Sequence, residues 1–294
     1  MDNLKRLNLE LSAFCGYKCV GCPNTYMERE KGSMSIELFD KIFSEIGGSL
    51  DTVYLANYGE PLLNKNIGIL LELARNTRIE KVLSTTGAML ENFEDLEFLS
   101  ALDELVISIN GFDQETYAKH QKGGNFGVVK RGLAKLTSIM ANANTNYVLQ
   151  IVAHKHNLAE LDKLEHFAHQ YGFKTVQIKS FNVMDNNQST FDEFIPLDTG
   201  FSRYKTNKFP ERRTNIKAPC KEWMVVNWNG DVNPCCWDYE GNYIMGNVDQ
   251  QGVFGVWNSP KMKEFRRNIL NDKYLSICNQ CGNSQVIKRY NIVK

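Results

Sequence analysis

Six short runs of strand-forming residues recur along the first two-thirds of the chain: LNLEL (7–11), TVYLA (52–56), KVLST (81–85), ELVISIN (104–110), YVLQIVAH (147–154) and TVQIKSF (175–181). Amphipathic stretches separate them. Ile36, Phe39, Ile42, Phe43 and Ile46 follow helical spacing after the first run, as do Ile67, Leu70, Leu71 and Ala74 after the second. The same spacing predicts helices over roughly 93–101, 126–142 and 158–171. Strand–helix–strand order demands a parallel sheet with crossover helices, and six such units favour an α/β barrel or partial barrel over a bundle or sandwich. Ligands of such barrels sit at the C-terminal ends of the strands.

Period-two alternation sorts the polar residues that would point into the lumen or mouth: Asn8 and Glu10, Ser84 and Thr86, Ser108 and Asn110, Gln150 and His154, Gln177 and Lys179. A barrel with a purely structural role has little use for so many there. Lys+Arg and Asp+Glu are equal at 34 each, with no long run of one sign, so neither a nucleic-acid footprint nor an anionic membrane surface is expected and partners should be small molecules bound in a pocket. The start, MDNLKRLNLELSAF, has no signal-peptide h-region, and no stretch approaches the ~18 apolar residues of a membrane span, so the chain is expected in the cytoplasm.

In a reducing compartment the eight cysteines point to metal or redox chemistry before disulfides. Three of them, Cys15, Cys19 and Cys22, lie in C-x3-C-x2-C spacing directly after the first strand, at the barrel mouth. Zinc wants four ligands, usually from paired knuckles, and the next cysteine is almost 200 residues away. An iron–sulfur cube held by three thiolates instead keeps one iron free to chelate the amino and carboxylate groups of a small molecule. Zinc or simple packing stays the lesser alternative.

This loop resembles the motif of the radical S-adenosylmethionine superfamily, whose fold is a partial (β/α)6, TIM-like barrel, and the resemblance spans the whole chain. Tyr58-Gly59-Glu60-Pro61 resembles the family's GGEP motif, with Tyr58 in place of the first glycine; its backbone and acidic residue are expected against the amino group of S-adenosylmethionine. Ser84–Gly87 resembles the third-strand turn and brings in Thr86. The stretch from Val106 resembles the fourth-strand motif, with Asn110 where an Asp is usual. The resemblance implies Ser108 at the ribose or carboxylate of the cofactor, with Asn110 and Gln150 beside it. The residue before the third loop cysteine, commonly aromatic and stacked on adenine, is Gly21 here, which leaves Phe14, Tyr17 or backbone for that contact.

From about Asp185 to Pro219 the sequence turns polar and loses helical period, which predicts a linker or lid over 186–218 between a barrel at 1–185 and a second domain at 219–294. In the latter, WMVVNWNGDVNP carries Asn229-Gly230, a two-residue hairpin signal. Cys220, Gly230 and Cys235 fall in C-x9-G-x4-C spacing, followed by a C-x2-C knuckle at Cys278 and Cys281. The pattern is similar to the SPASM and twitch auxiliary domains of this superfamily. Five cysteines cannot ligate two full clusters, so one auxiliary [4Fe–4S] cluster on Cys220, Cys235, Cys278 and Cys281 is expected, in a small domain of β-hairpin plus helix. A four-cysteine zinc site is the alternative from spacing alone.

Cys236 is left over: either a small buried hydrophobe or a thiol that returns a hydrogen atom to a substrate radical. The resemblance implies a first [4Fe–4S] cluster, S-adenosylmethionine, and an external one-electron reductant of flavodoxin or ferredoxin type. With Cys236 as donor the expected reaction is epimerisation of a small sugar- or aminocyclitol-like substrate. The alternative is two-electron oxidation of an alcohol with the auxiliary cluster as electron acceptor, for which Lys179, His154 or Glu10 is the candidate base. Peptide modification is less expected, since no peptide-recognition domain precedes the first strand; a non-catalytic electron carrier would have no use for an open three-cysteine cluster beside Gly59-Glu60-Pro61. Anaerobically reconstituted protein is expected to hold about eight irons and eight sulfides per chain; about four irons plus one zinc would mark the knuckle as a zinc site.

Overall fold

The computed structural model describes residues 3–140, 144–207, 219–281 and 286–292. In chain order its elements are β1 (Arg6–Leu9), α1 (Ile36–Ile46), β2 (Thr52–Tyr54), α2 (Ile67–Ala74), β3 (Glu80–Thr85), β4 (Glu104–Ser108), α3 (Gln114–His120), α4 (Phe126–Met140) and β5 (Asn146–Ala153). There follow α5 (Leu164–Gln170), β6 (Thr175–Ser180), α6 (Gln188–Phe194), β7 (Trp223–Val226), β8 (Val232–Asn233), α7 (Val248–Gln251), α8 (Val253–Trp257), α9 (Pro260–Leu270) and β9 (Val286–Asn291). All six expected strands are present. The chain divides into two compact units: residues 1–15, 26–83 and 211–281 form the first, and 16–25, 84–210 and 282–294 the second. The division falls inside β3 and within the cysteine loop.

In the first unit β2 and β7 flank β1, both parallel to it, with β3 parallel to β2 and β8 antiparallel to β7. The parallel pairing of β7 with β1 was not expected; it makes the hairpin of the cysteine-rich region an extension of the sheet. Gly230 takes φ +87 at the hairpin turn, a conformation glycine adopts without steric cost. One face of this sheet is sealed by Leu7, Leu9, Val53, Leu55, Met224 and Val226, all fully buried. The other carries Asn8, Tyr54, Trp223 and Val225, with the Tyr54 and Trp223 rings stacked at 5.8 Å. Helix α1 starts where the Ser35 side chain accepts from Leu38 N–H and ends at Gly47, whose φ of +52 lets its N–H reach the Phe43 carbonyl.

Glu10, expected at the mouth as a possible base, is instead fully buried in an ion pair with Arg29 and accepts a hydrogen bond from Trp228 N–H at 3.4 Å. Arg29 Nε also donates to the Tyr239 carbonyl, and the Glu240 carboxylate accepts from the N–H groups of Glu28 and Arg29. Gly32 lies so near the Trp228 ring that a Cβ there would stand 2.5 Å from it. The chain returning from the cysteine loop is thus stapled to residues 228–240. A carboxylate committed to a guanidinium is a poor proton acceptor, which removes Glu10 from the candidate bases.

In the second unit β5 lies between β4 and β6, all parallel, and β9 closes the edge of β6 antiparallel. Paired register puts Glu104, Ser108, Gln150, Gln177, Lys179 and Arg289 on one face. The helix expected over 93–101 forms only short 3-10 turns at Leu90–Asn92 and Glu97–Ala101, because the Asp95 carboxylate captures Glu97 N–H in a local turn. The stretch expected as a linker or lid begins with α6, capped by Asn187, and Phe191, Phe194 and Ile195 pack with Phe181, Val183 and Tyr204 in a closed cluster. Residues 208–218 of that stretch lie outside the described residues.

Removing one partner of the Glu10–Arg29 pair leaves an uncompensated buried charge. Glu10→Gln or Arg29→Met should therefore lower the unfolding free energy by about 3–5 kcal/mol in denaturant titrations. A Glu10 that served as a base would give a stable, inactive Glu10→Gln protein.

Candidate radical and auxiliary-cluster site

Within the first unit, the end of β1 is held by the turn that follows β2. Gly59 lies against it so closely that a Cβ would stand 1.7 Å from the Ser12 carbonyl oxygen, so any side chain at 59 forces the turn away. Glu60 N–H donates to the Phe14 carbonyl at 2.8 Å, and the buried Glu60 carboxylate accepts from Leu62 N–H at 3.2 Å, opening the 3-10 turn Pro61–Leu63. Asn64 Nδ2 donates to the carbonyls of Leu11 and Met34, and Ala13 N–H to that of Gly32, closing the base of the cysteine loop. Tyr58 meets Tyr239 edge-on at 5.9 Å. Tyr58, Gly59, Glu60 and Pro61 therefore sit against the residues that lead into Cys15.

Within the second unit, the rest of the loop pairs with the segment after α3. Lys18 N–H donates to the Lys122 carbonyl and Val20 N–H to the His120 carbonyl, each at 3.0 Å. Cys22 N–H donates to the Cys19 carbonyl at 3.2 Å, a tight turn that takes Gly21 to φ +75. A Cβ on Gly21 would stand 3.1 Å from the Phe181 ring and from the Asn182 carbonyl, and Met184 N–H donates to the Gly21 carbonyl. Phe181, from the end of β6, thus fills the space beside the loop where an aromatic residue at position 21 would need room. Phe14 is 48% exposed, and the Tyr17 hydroxyl is engaged by Tyr117 at 3.1 Å.

The strand ends of this unit carry the other expected cofactor contacts. Thr86 Oγ1 accepts from Ala88 N–H at 3.4 Å in the turn after β3, where Gly87 has φ +76. Ser108 is half-buried; its Oγ accepts from Gln150 Nε2 at 3.2 Å, and Gln150 Oε1 accepts from Gln177 Nε2 at 2.8 Å. Gln177 Oε1 in turn accepts from Arg289, which is paired with Glu104. The sequence left this amide relay unread beyond Gln177, because its end lies on β9.

Asn110 has a different surrounding from the one expected. It is buried: its Oδ1 accepts from Val152 N–H at 2.7 Å, its Nδ2 lies 2.8 Å from His120 Nδ1, and its carbonyl accepts from Asn157 Nδ2. That environment makes Asn110 a brace between the ends of β4 and β5. His154, expected at the mouth, is fully enclosed among the rings of His120, His156, Phe181 and Phe194. Burial, then the neighbouring histidines, push its pKa down to about 2, and burial takes His120 down to about 4. Both rings are neutral at physiological pH, and a base that weak and that enclosed does not serve a substrate. Lys179, half-buried, is the remaining candidate; burial and then the charge of Arg203 hold its pKa below the usual lysine range.

None of the eight cysteines is in a disulfide, and all are half-buried. In the first unit the side chains of Cys220 and Cys235 are hydrogen-bonded, as are those of Cys235 and Cys236. The bond to Cys235 and burial raise the Cys220 thiol far above its ordinary range. Cys235 is lowered by Cys220, but the bond to Cys236, burial and the Cys236 charge outweigh that and raise it well above. Trp237 N–H donates to Cys235 Sγ at 3.4 Å. The knuckle is a 3-10 turn, Ser276–Gln280, in which Cys281 N–H donates to the Cys278 carbonyl at 3.2 Å, and Ser276 meets Tyr243 OH at 2.8 Å. Among the described residues no three His, Cys, Asp or Glu side chains are arranged as a finished cage for a metal ion. The donor sets nonetheless suit iron–sulfur clusters: soft thiols on tight turns, with an N–H aimed at one sulfur and a thiolate charge that burial opposes until a cation balances it. Among the described residues no helix is long and apolar enough to cross a membrane.

Comparison with known proteins agrees with this geometry. A family model described as the radical SAM superfamily matches residues 9–168, and a SPASM model, described as an iron–sulfur cluster-binding domain, matches residues 220–282. The S-adenosyl-L-methionine-dependent 2-deoxy-scyllo-inosamine dehydrogenase of Niallia circulans is 24% identical over 97% of this chain and 96% of its own. The crystal structure of BtrN in complex with AdoMet and 2-DOIA superposes with a TM-score of 0.56 at 18% identity, covering 97% of this chain and 94% of that one. Streptococcus suis SuiB bound to the precursor peptide SuiA superposes at 0.63 with 14% identity, covering 98% and 73%. These likenesses establish the mostly parallel α/β, partial TIM-like fold. With the matched domains come S-adenosylmethionine, its [4Fe–4S] cluster and an auxiliary iron–sulfur cluster. Since the first of the two models spans more than half of the sequence, the chain belongs to the radical SAM superfamily and is a radical SAM enzyme with a SPASM domain.

Proposed function

We propose that this enzyme oxidises an alcohol carbon of a small polar substrate by two electrons. Cys15, Cys19 and Cys22 would hold the first cluster, with S-adenosylmethionine bound along Tyr58–Pro61, Thr86, Ser108 and Gln150; Cys220, Cys235, Cys278 and Cys281 would hold the auxiliary one. When bound, these groups supply a 5′-deoxyadenosyl radical for hydrogen abstraction and an acceptor for the second electron. The protein's own part is placement. Gly59 and Glu60 fix the end of β1, Ser108 is oriented by the Gln150–Gln177 relay, and Phe181 excludes water beside Gly21.

The observation that carries oxidation over epimerisation is the likeness, along nearly the whole of both chains, to a named dehydrogenase. Epimerisation through Cys236 is the second reading.

The two separate when 2-deoxy-scyllo-inosamine, the first candidate, is incubated in deuterated water with S-adenosylmethionine and dithionite. The expected result is an oxidised product in step with 5′-deoxyadenosine and no deuterium in recovered substrate, with the Cys236→Ala protein giving the same product ratio. Deuterium at one carbon, lost in Cys236→Ala, would replace this proposal with epimerisation. Absence of 5′-deoxyadenosine with any tested polyol would favour an electron carrier.

A further inference from the structure

On the polar face of the first unit's sheet, Asn8 Oδ1, Trp223 Nε1 and Asn227 Oδ1 are enclosed and meet no hydrogen-bond partner among the described residues. Asn8 is 8% exposed and Asn227 3%. Register pairs Asn8 with Val225 and Val225 with Asn233, which puts Asn8 and Asn233 on the face that carries Trp223. Asn227 joins them there, its Nδ2 donating to Asn233 Oδ1 at 3.1 Å. Asn233 Nδ2 in turn donates to the Asp238 backbone carbonyl. A carbonyl only accepts, so it fixes how both amides are turned: each nitrogen points along the row towards Asp238, and the Asn227 oxygen is left at the open end. An acceptor enclosed in this way costs about 1–3 kcal/mol until a donor reaches it. Glu10, next after Asn8 on the same face, is a carboxylate already held by Arg29 and by Trp228 N–H.

We propose that Asn8 and Asn227 form a substrate subsite for hydroxyl groups, which donate to the two amide oxygens and accept from Trp223 Nε1. The inference rests on the small-polar-substrate reading above and narrows it to a hydroxylated, non-anionic one. Only a hydroxyl answers all three atoms, because it both donates and accepts. A phosphate or carboxylate would bring oxygen against the oxygens of Asn8 and Asn227 with no hydrogen to share, and an ammonium would leave the Trp223 N–H unmet. Position agrees as well: Asn227 directly follows β7, which runs parallel to β1, so it stands at the C-terminal edge of the parallel strands, where barrels of this class bind their ligands. The amide row also runs through Asn233, two residues before Cys235 in the chain, an expected ligand of the electron-accepting cluster.

The reconstituted holoenzyme with S-adenosylmethionine is titrated with scyllo-inositol, which carries hydroxyls alone, and with 2-deoxy-scyllo-inosamine, which adds an amine, while thermal unfolding is followed. The expected result is a saturable rise in Tm with both. Asn8→Leu, of similar shape but without the amide, should weaken the midpoint for each probe about tenfold, and so should Asn227→Leu. Asn8 makes no recorded side-chain hydrogen bond, so the unliganded Tm of Asn8→Leu should stay level or rise, which separates a lost ligand contact from a damaged fold. No saturable effect of scyllo-inositol overturns the proposal, as does an effect of the amine-bearing probe alone. Undiminished midpoints in both variants also overturn it and leave the open oxygens to ordered water. Oxidised product from 2-deoxy-scyllo-inosamine is assayed on the same preparations. Binding that depends on Asn8 and Asn227 but yields no oxidation defeats the proposed function and leaves the subsite; oxidation with KM unchanged in both variants defeats the subsite alone.

Discussion

A carboxylate taken wholly out of water governs the first unit. Glu10 directly follows β1, and burying its charge is tolerable only because Arg29 meets it and Trp228 N–H shares the load. Arg29 lies just beyond the cysteine loop, and its own second contact is the Tyr239 carbonyl, three residues past Cys236. One ion pair therefore fixes the far side of the cysteine loop and the segment carrying Cys235 and Cys236 against the same strand end. Gly59, which admits no Cβ, presses on that strand end from the other direction. The segment that carries Cys235 is thereby tied to a charge pair that takes no part in the chemistry.

The cysteines show the same physics with the sign reversed. Cys220, Cys235 and Cys236 form a row of hydrogen-bonded side chains, and those bonds together with burial hold the first two in the neutral form. Such a row is unremarkable in a protein core and uneconomical in a metal site, because thiolates bind iron and thiols do not. A metal cation reverses that preference, so loading the site and releasing its protons are one event.

The strands were legible because alternation and β-branched content are local properties. What they pair with was not. The parallel partnership of β7 with β1 joins residues more than 200 positions apart, and β9 lies in a short tail with no turn signal pointing to β6. Helix α6 was missed because its buried face is small, Thr190, Phe191 and Phe194 in an otherwise polar stretch. For the site, the motifs named the right turns, but period-two alternation gives only the face of a strand and not its depth. Glu10 and His154 fall on the expected face and are sealed off, one by Arg29 and the other by a ring of aromatic and imidazole groups. Gly21 was visible as a departure, while its reason, the Phe181 ring, lies 160 residues downstream.

The inner face of the second unit costs more to build than an apolar one. Each buried amide must find its partners or lose about 1–3 kcal/mol, and the relay from Ser108 through Gln150 and Gln177 to Arg289 meets that demand link by link. A chain of this kind has two ends. At one, Arg289 is closed by Glu104, a terminus satisfied within the protein. At the other, Ser108 Oγ takes the hydrogen bond of Gln150 and keeps its own proton to give, at a strand end and only half-buried. A relay anchored at its base and left with a donor at its mouth is arranged to orient something that arrives from outside, and its rigidity means that whatever binds finds the hydroxyl already aimed. The polar lining is therefore the cost of pre-organisation, met by internal hydrogen bonds before any ligand contributes.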